Sequence, residues 1–234
     1  MKRILLCVAV VAALFASTAH AATVYDISAG FDTANNPSTL GPWSYGSSTG
    51  VSFVPLPLTG GTNPIYHWRS ASEEVYVEKN TSASSTIDAF GRYWSPGQVT
   101  IHPGSAEYGV IRFTAPVAGT YNFNVGYTGN TPANTTTDVH VVLNGNLAPP
   151  LYSGLVNSAQ DVGNGINGAG PTFTDTVTLA AGGTLDFVVG NGGNGHPNDL
   201  TGISGSVTLV PEPATLLLAT LGVAACGAVR RRRG

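Results

Sequence analysis

The sequence predicts an all-β fold: an antiparallel β-sandwich, jelly-roll-like, flanked by an N-terminal signal helix and a C-terminal single transmembrane helix. Three observations carry that prediction. Short segments alternate apolar and polar residues with a period of two. Turn residues stand between them. Each end of the 234-residue chain joins an apolar stretch to basic residues. Period-two alternation with one polar face marks half-buried antiparallel strands.

The N-terminal element comes first. Lys2 and Arg3 precede an apolar run over residues 4–16, and Ala19-His20-Ala21 offers small residues before Ala22. A basic start, a short apolar run and a small-x-small cleavage site (Ala19, Ala21) define a secretory signal peptide, residues 1–21. The run falls short of the roughly 20 residues a membrane span needs. Cys7 does not read as a lipidation site, because Leu6 stands before it and most of the apolar run follows it.

Residues 22–210 are the predicted sandwich. Its first part is the less regular: VYDIS, SFVPL, PIYHWRS and EEVYVEKN are expected strands, and the Ser/Thr-rich stretch at 81–85 a loop. In YGVIRFTAP, Ile111 and Phe113 share one face, and Arg112 points outward toward an acidic neighbour. GTYNFNVGYTGN sets Tyr121, Phe123, Val125 and Tyr127 against Asn122, Asn124, Gly126 and Thr128. Val139, Val141 and Leu143 share one face in TDVHVVLNG, with His140 opposite; Phe173, Val177 and Leu179 do so in PTFTDTVTLAAG. GTLDFVVG and ISGSVTLV repeat the pattern with Leu185, Phe187 and Val189, then Ile203, Val207 and Leu209. Asn144-Gly145 and the Gly-containing stretches 116–119 and 181–183 supply turns between the runs. Many short strands at this spacing belong to a sandwich.

Composition narrows the function. Charged residues are 10% of the chain, against roughly 25% in an ordinary soluble domain. Residues 22–210 hold four basic and twelve acidic side chains, so no basic footprint for nucleic acid exists. Cys7 and Cys226 lie in the two ends, which excludes a disulfide framework and a Cys-ligated zinc site in the middle.

The tail is the last element. Residues 214–229 are apolar except Thr215 and Thr220, about 24 Å of helix. Arg230, Arg231, Arg232 and Arg233 then stop transfer and stay on the cytoplasmic side, so the sandwich faces outward. Pro211 and Pro213 interrupt any helix just before the membrane and leave an extended segment there.

Residues 211–234 resemble the PEP-CTERM sorting signal of Gram-negative bacteria: Pro211-Glu212-Pro213, a short apolar helix and an arginine cluster, in that order. The resemblance implies an exosortase-type transpeptidase as partner, cleavage near the PEP motif and export to the outer cell surface. It also implies company with extracellular polysaccharide. A permanent membrane anchor is the alternative, and both readings place the helix in the inner membrane at least for a time. Residues 99–209 resemble carbohydrate-binding modules of jelly-roll type, through FTAPVAGTYNFNVGYTGN, DVHVVLNG and LAAGGTLDFVVGNGGNGHPND. That resemblance implies binding of a sugar polymer.

Candidate site residues follow from chemistry. The loop GNGGNGHPNDLTG offers glycines for close backbone approach and Asn194, Asn198 and Asp199 as partners for sugar hydroxyls or, alternatively, calcium. A Gly-Gly-x-Gly-x-Asp calcium repeat fails at Pro197. The competing reading is that these polar groups cap their own turns. Trp43, Tyr45, Tyr93 and Trp94 stand beside turn residues and could form an aromatic platform; core packing is the competing reading, stronger still for Trp68. His67, His102, His140 and His196 are scattered, with no HExxH and no nucleophile elbow. Glu74 and Glu78 share a strand face and read as a solvated edge rather than a catalytic pair. The expectation is therefore a non-catalytic surface protein without a metal cofactor, binding extracellular polysaccharide, or alternatively a structural or adhesive matrix protein.

A reporter enzyme active only in the periplasm, inserted between Val210 and Pro211, is expected to be active in cells. An inactive but intact fusion would place the sandwich on the wrong side of the membrane.

Overall fold

The structure, a computed structural model, describes residues 22–50, 52–161 and 163–211. The expected signal peptide, the helix at 214–229 and the arginine cluster lie outside the described residues. The chain divides into Val24–Thr208, which holds the sheets, and a unit made of the two ends, Met1–Thr23 with Leu209–Gly234. Among the described residues no helix is long and apolar enough to cross a membrane.

The strands run β1 Thr23–Asp26, β2 Trp43–Ser48, β3 Phe53–Pro55, β4 Leu58–Thr62, β5 Ile65–Arg69 and β6 Tyr76–Asn80. After these come β7 Thr86–Ile87, β8 Tyr93–Trp94, β9 Val99–His102, β10 Tyr108–Thr114 and β11 Gly119–Gly129. The chain closes with β12 Thr135–Leu143, β13 Tyr152–Ser158, β14 Thr172–Leu179, β15 Thr184–Val189 and β16 Thr201–Leu209. One sheet has the order β14-β11-β16-β9-β6-β5-β4, with β1 also beside β16; the other has β13-β12-β15-β10-β2-β3. β7 and β8 form a separate hairpin. The antiparallel sandwich expected from the sequence is present. Its last eight strands, β9 to β16, divide four and four between the sheets.

Alternation decides which face each strand buries. Tyr121, Phe123, Val125 and Tyr127 of β11 are at most 1% exposed, while Asn122 and Asn124 face water. β11 pairs with β14 from Gly119 opposite Leu179 to Gly126 opposite Thr172, and β14 turns its threonines outward. The core between the sheets is aromatic. Phe113 lies 5.4 Å from both Trp43 and Tyr121 and 5.3 Å from Tyr25, and Phe187 lies within 6.4 Å of Trp43 and Phe123. Gly30 must be glycine, because a Cβ there would collide with the Trp43 ring.

Two features add outer layers. On the second sheet, Val110, Val142 and Val188 are buried on the outer face under Phe53, Tyr108 and Leu147. Arg112 points outward there, as expected, and donates from Nε and Nη2 to both carboxylate oxygens of Asp186 opposite it, each at 2.7 Å. On the first sheet, the segment between β6 and β9 folds back over the outer face. Trp94 Nε1 donates to Thr100 Oγ1 at 3.2 Å, and the Asn80 amide donates to the Ser84 and Ser95 carbonyls.

This cover corrects the expectation of a solvated Glu78. The residue is 4% exposed, paired in register with Thr100, and its Oε2 has no hydrogen-bond partner among the described residues. Burial pushes its carboxyl up to about 7, against the pull of Arg92 and Arg69. Stability that depends on protonated Glu78 is present below its unfolded value and is lost as pH rises through about 7. Glu78→Gln removes that loss. The variant is expected to exceed the parent in stability at pH 8, by up to roughly 3 kcal/mol, and to match it near pH 4. Urea denaturation at both pH values checks this; the same difference at both would show that Glu78 does not titrate in the window.

Candidate functional site

The aromatic residues expected at the site are mostly spent on packing. Trp43 and Tyr45 alternate with Ser44 and Gly46 along β2 and are 1% and 0% exposed. The Tyr45 hydroxyl donates to the Gly30 carbonyl at 3.1 Å, and burial raises its pKa. Trp94 is sealed under the β7–β8 cover at 1% exposure. Tyr93 is half-buried, its hydroxyl 2.8 Å from Ser85 Oγ. Trp68 is core, as its strand position suggested, and donates from Nε1 to the Asp32 carbonyl at 2.8 Å. These residues therefore form no open platform. The period-two pattern of Trp43 and Tyr45 was itself a strand signal.

The glycine-rich loop joins β15 to β16, and its geometry follows from where β15 ends. β15 pairs with β12 as far as Val189 opposite Val139. Beyond that point β12 needs other partners, and the loop supplies them. Gly190 N donates to the Asp138 carbonyl and Gly192 N to Asp138 Oδ1, both at 2.7 Å. Asp199 Oδ1 accepts from the Thr136 backbone N at 3.1 Å and its hydroxyl at 3.2 Å. Asp199 is fully buried, and that burial raises its carboxyl pKa against the Thr136 donors. The Asn194 amide donates to Thr136 Oγ1 at 2.9 Å. Asn194 and Asp199 thus serve the loop's own architecture. Asn198, at φ 67°, is held by its carbonyl, which accepts from Thr131 Oγ1 at 2.9 Å, and its side chain is exposed.

The start of this loop makes one wall of an open cleft of about 430 Å³. The β9–β10 turn, with Ser105 and Glu107, makes the other, and Tyr108 and Asp138 line the space between. Asn191 Nδ2 donates to the Ser105 carbonyl at 2.8 Å and ties the walls together. Asp138 Oδ2 lies 2.8 Å from His140 Nε2, whose Nδ1 lies 2.9 Å from Ser153 Oγ. Burial opposes ionisation of Asp138, but the His140 and Gly192 contacts outweigh it and hold the carboxyl below its ordinary value. Gly190 keeps the cleft open: a Cβ there would meet the Asp138 carboxylate and the Tyr108 ring. Among the described residues no Lys or Arg lines this cleft. A ring, two carboxylates and an amide around a polar hollow can hold hydroxyl-rich ligands.

A second hollow, of about 260 Å³, borders the later part of the same loop at Asn198 and Leu200, with Phe90, Arg92, His102 and Pro132. Among the described residues no group of three or more His, Cys, Asp and Glu is placed to hold a metal ion. Sequence reasoning found the loop but missed Glu107, Tyr108 and Asp138. The signal for Asp138 was available, since it shares the polar face of β12 with Thr136 and His140.

Comparison with known proteins decides the tail. Residues 209–233 match the family model described as the PEP-CTERM protein-sorting motif. The chain carries a PEP-CTERM sorting motif. No curated protein matches the sequence. Among solved structures, this chain is similar to a CBM51 module from Clostridium perfringens GH95 in complex with methyl-galactose. The identity is 15%, the match covers 80% of this chain and 99% of that one, and the TM-score is 0.36. It is similar to CBM51-2 in complex with GlcNAc from Clostridium perfringens ZmpB at 10% identity, over 66% of this chain and 40% of that longer one, with a TM-score of 0.34. A family 35 carbohydrate-binding module from an environmental isolate matches at 17% identity over 58% and 98%, with a TM-score of 0.32.

Asp199→Ala leaves the Thr136 N–H without its acceptor and is expected to cost about 1–3 kcal/mol. Asp199→Asn keeps an acceptor at Oδ1 and is expected to cost much less. Chemical denaturation of both variants checks the assignment; equal losses would separate Asp199 from this structural role.

Proposed function

We propose that this protein is an exported, non-catalytic cell-surface protein whose sandwich binds extracellular polysaccharide. Its partner in export is an exosortase-type enzyme that acts near Pro211-Glu212-Pro213, with the segment at 214–229 as a membrane helix until processing. The product belongs to the outer surface or the extracellular matrix. The jelly-roll reading rests on strand order: β14-β11-β16-β9 in one sheet and β13-β12-β15-β10 in the other, consecutive strands crossing between them except from β12 to β13.

The observation that carries the binding reading is the open cleft between the β9–β10 turn and the glycine-rich loop, with Tyr108, Glu107, Asp138 and Asn191 turned to it. It takes the place of the expected platform of Trp43, Tyr45, Tyr93 and Trp94. Its carboxylates favour neutral or amino-bearing sugars over uronate-rich polymers, because like charges at close range repel. Asn198 belongs to the neighbouring hollow. Calcium enters as a second ligand to be tested at the same rim.

A glycan array probed with the secreted chain, with and without calcium, is expected to give signals on neutral or amino polysaccharides and none on polyuronates. Tyr108→Ala and Asp138→Asn are each expected to weaken binding about tenfold, an effect near 1.4 kcal/mol. Flat arrays in both conditions would leave the matrix-protein alternative in its place.

A further inference from the structure

Phe90 is 79% exposed, the most exposed large apolar side chain among the described residues. Its loop is nonetheless tightly built. Asp88 Oδ1 accepts from the backbone N of Phe90 and of Arg92, each at 2.9 Å. Asp88 Oδ2 accepts from Arg92 Nε at 2.7 Å and lies 2.6 Å from Nη2. Gly91 N donates to the Asp88 carbonyl at 3.0 Å, and the Arg92 carbonyl accepts from Asp88 N at 3.1 Å. The Arg92 guanidinium lies 5.3 Å from the Trp94 ring and 5.5 Å from Phe90 itself. Six polar contacts therefore fix a turn whose tip buries almost nothing. Arg92 also donates to the Tyr76 hydroxyl at 3.2 Å and so ties the turn to the cover, but folding gains little from the exposed phenyl ring, which is free for a role in binding.

The hollow of about 260 Å³ beside Phe90 supplies it. Pro132 adds exposed apolar surface and Asn198 is an exposed polar residue, while Leu200 and His102 line the hollow from buried positions. Asn198 sits in the left-handed region, its carbonyl held by Thr131, and it is exposed where it lines the hollow. The site is close to neutral. Arg92 is matched by Asp88, and His102, stacked on Tyr76 at 4.5 Å, is held uncharged by burial, its pKa lowered to about 4. An exposed rigid ring faces C–H groups well, and an amide pairs hydroxyls.

We propose that this hollow is a second sugar site, in which Phe90 stacks against the apolar face of one neutral pyranose ring and Asn198 hydrogen-bonds its hydroxyls. It takes its ligand class from the polysaccharide reading of the first cleft. The two sites are neighbours, since His102 and Gly104 line one each and loop 190–200 borders both. A polymer can thus engage both through different sugar units.

The test uses the full chain in a zwitterionic detergent without sugar headgroups. Saturation-transfer NMR is run with methyl α-D-mannopyranoside, methyl β-D-glucopyranoside and methyl β-D-galactopyranoside. At least one glycoside is expected to receive saturation at its ring C–H protons. In the Tyr108→Ala background, which disables the first cleft, Phe90→Ala should reduce the remaining signal at least fivefold and Phe90→Trp should retain it. Absence of signal from all three glycosides, or a signal indifferent to Phe90→Ala, overturns the second site. The first-cleft reading fails separately, through a flat glycan array or one indifferent to Tyr108→Ala. Phe90 is exposed at a loop tip, so circular dichroism of Phe90→Ala is expected to match the parent.

Discussion

Phe113 is the contact on which the sandwich rests. Its ring meets Tyr25 from β1, Trp43 from β2 and Tyr121 from β11, so one side chain joins both sheets and the N-terminal strand. Rings of this size each bury about 150–250 Å² and bring edge-to-face contacts that fix their neighbours' orientation. No disulfide can share that task, because both cysteines lie outside the sandwich. The constraint has a functional consequence. The large aromatics of the inner faces are committed to packing, and anything the protein binds must be met by the rim loops and the covered outer faces.

Charge placement carries the same division further. The four cationic side chains of the sandwich are all engaged: Arg112 with Asp186, Arg92 with Asp88, Lys79 with the Ser28 carbonyl, and Arg69 at 4.0 Å from Glu73 and Glu78. Carboxylates at the first cleft, Glu107 and Asp138, have no Lys or Arg beside them in its lining. The rim therefore presents negative charge against a domain that is already acidic, a field that turns away polyanions and screens out with salt.

Where the buried face of a strand was single, the sequence was legible. β11, β14 and β16 each showed their inner residues by alternation. Reading failed where a second layer broke the rule of one polar face. Val141 and Val142 are adjacent and both buried, because Phe53, Tyr108 and Leu147 cover the outer face. Trp94 looked like a loop aromatic; it lies in the short strand β8, whose hairpin folds onto the outside of the other sheet, where Thr100 meets the indole N–H. Glu78 is buried by the same cover. No local pattern announces a loop that returns over its own sheet; the information lies in contacts between segments distant in sequence. Tyr45 is different, since WSYGSS is a plain alternating strand and only its turn-like neighbours concealed it.

The glycine-rich loop shows how a structural need and a binding surface share one segment. β15 pairs with β12 only as far as Val139, which leaves the first four residues of β12 without it, and the backbone of residues 136–138 then requires partners that a strand would have supplied. Asp199 provides an acceptor, Gly190 a donor, and Asn194 braces Thr136 between them. Glycine is required at 190, where a side chain would fill the cleft, and the tight path that follows turns Asn198 outward into the left-handed region. Asn194 and Asp199, two of the three loop residues that looked like ligands, thus hold the loop. Those that face the two hollows, Tyr108 and Asp138 on one side and Phe90 on the other, come from segments the loop braces or borders. The composition of the loop points to the right end of the sandwich, and its hydrogen bonds explain why the chemistry there belongs to its neighbours.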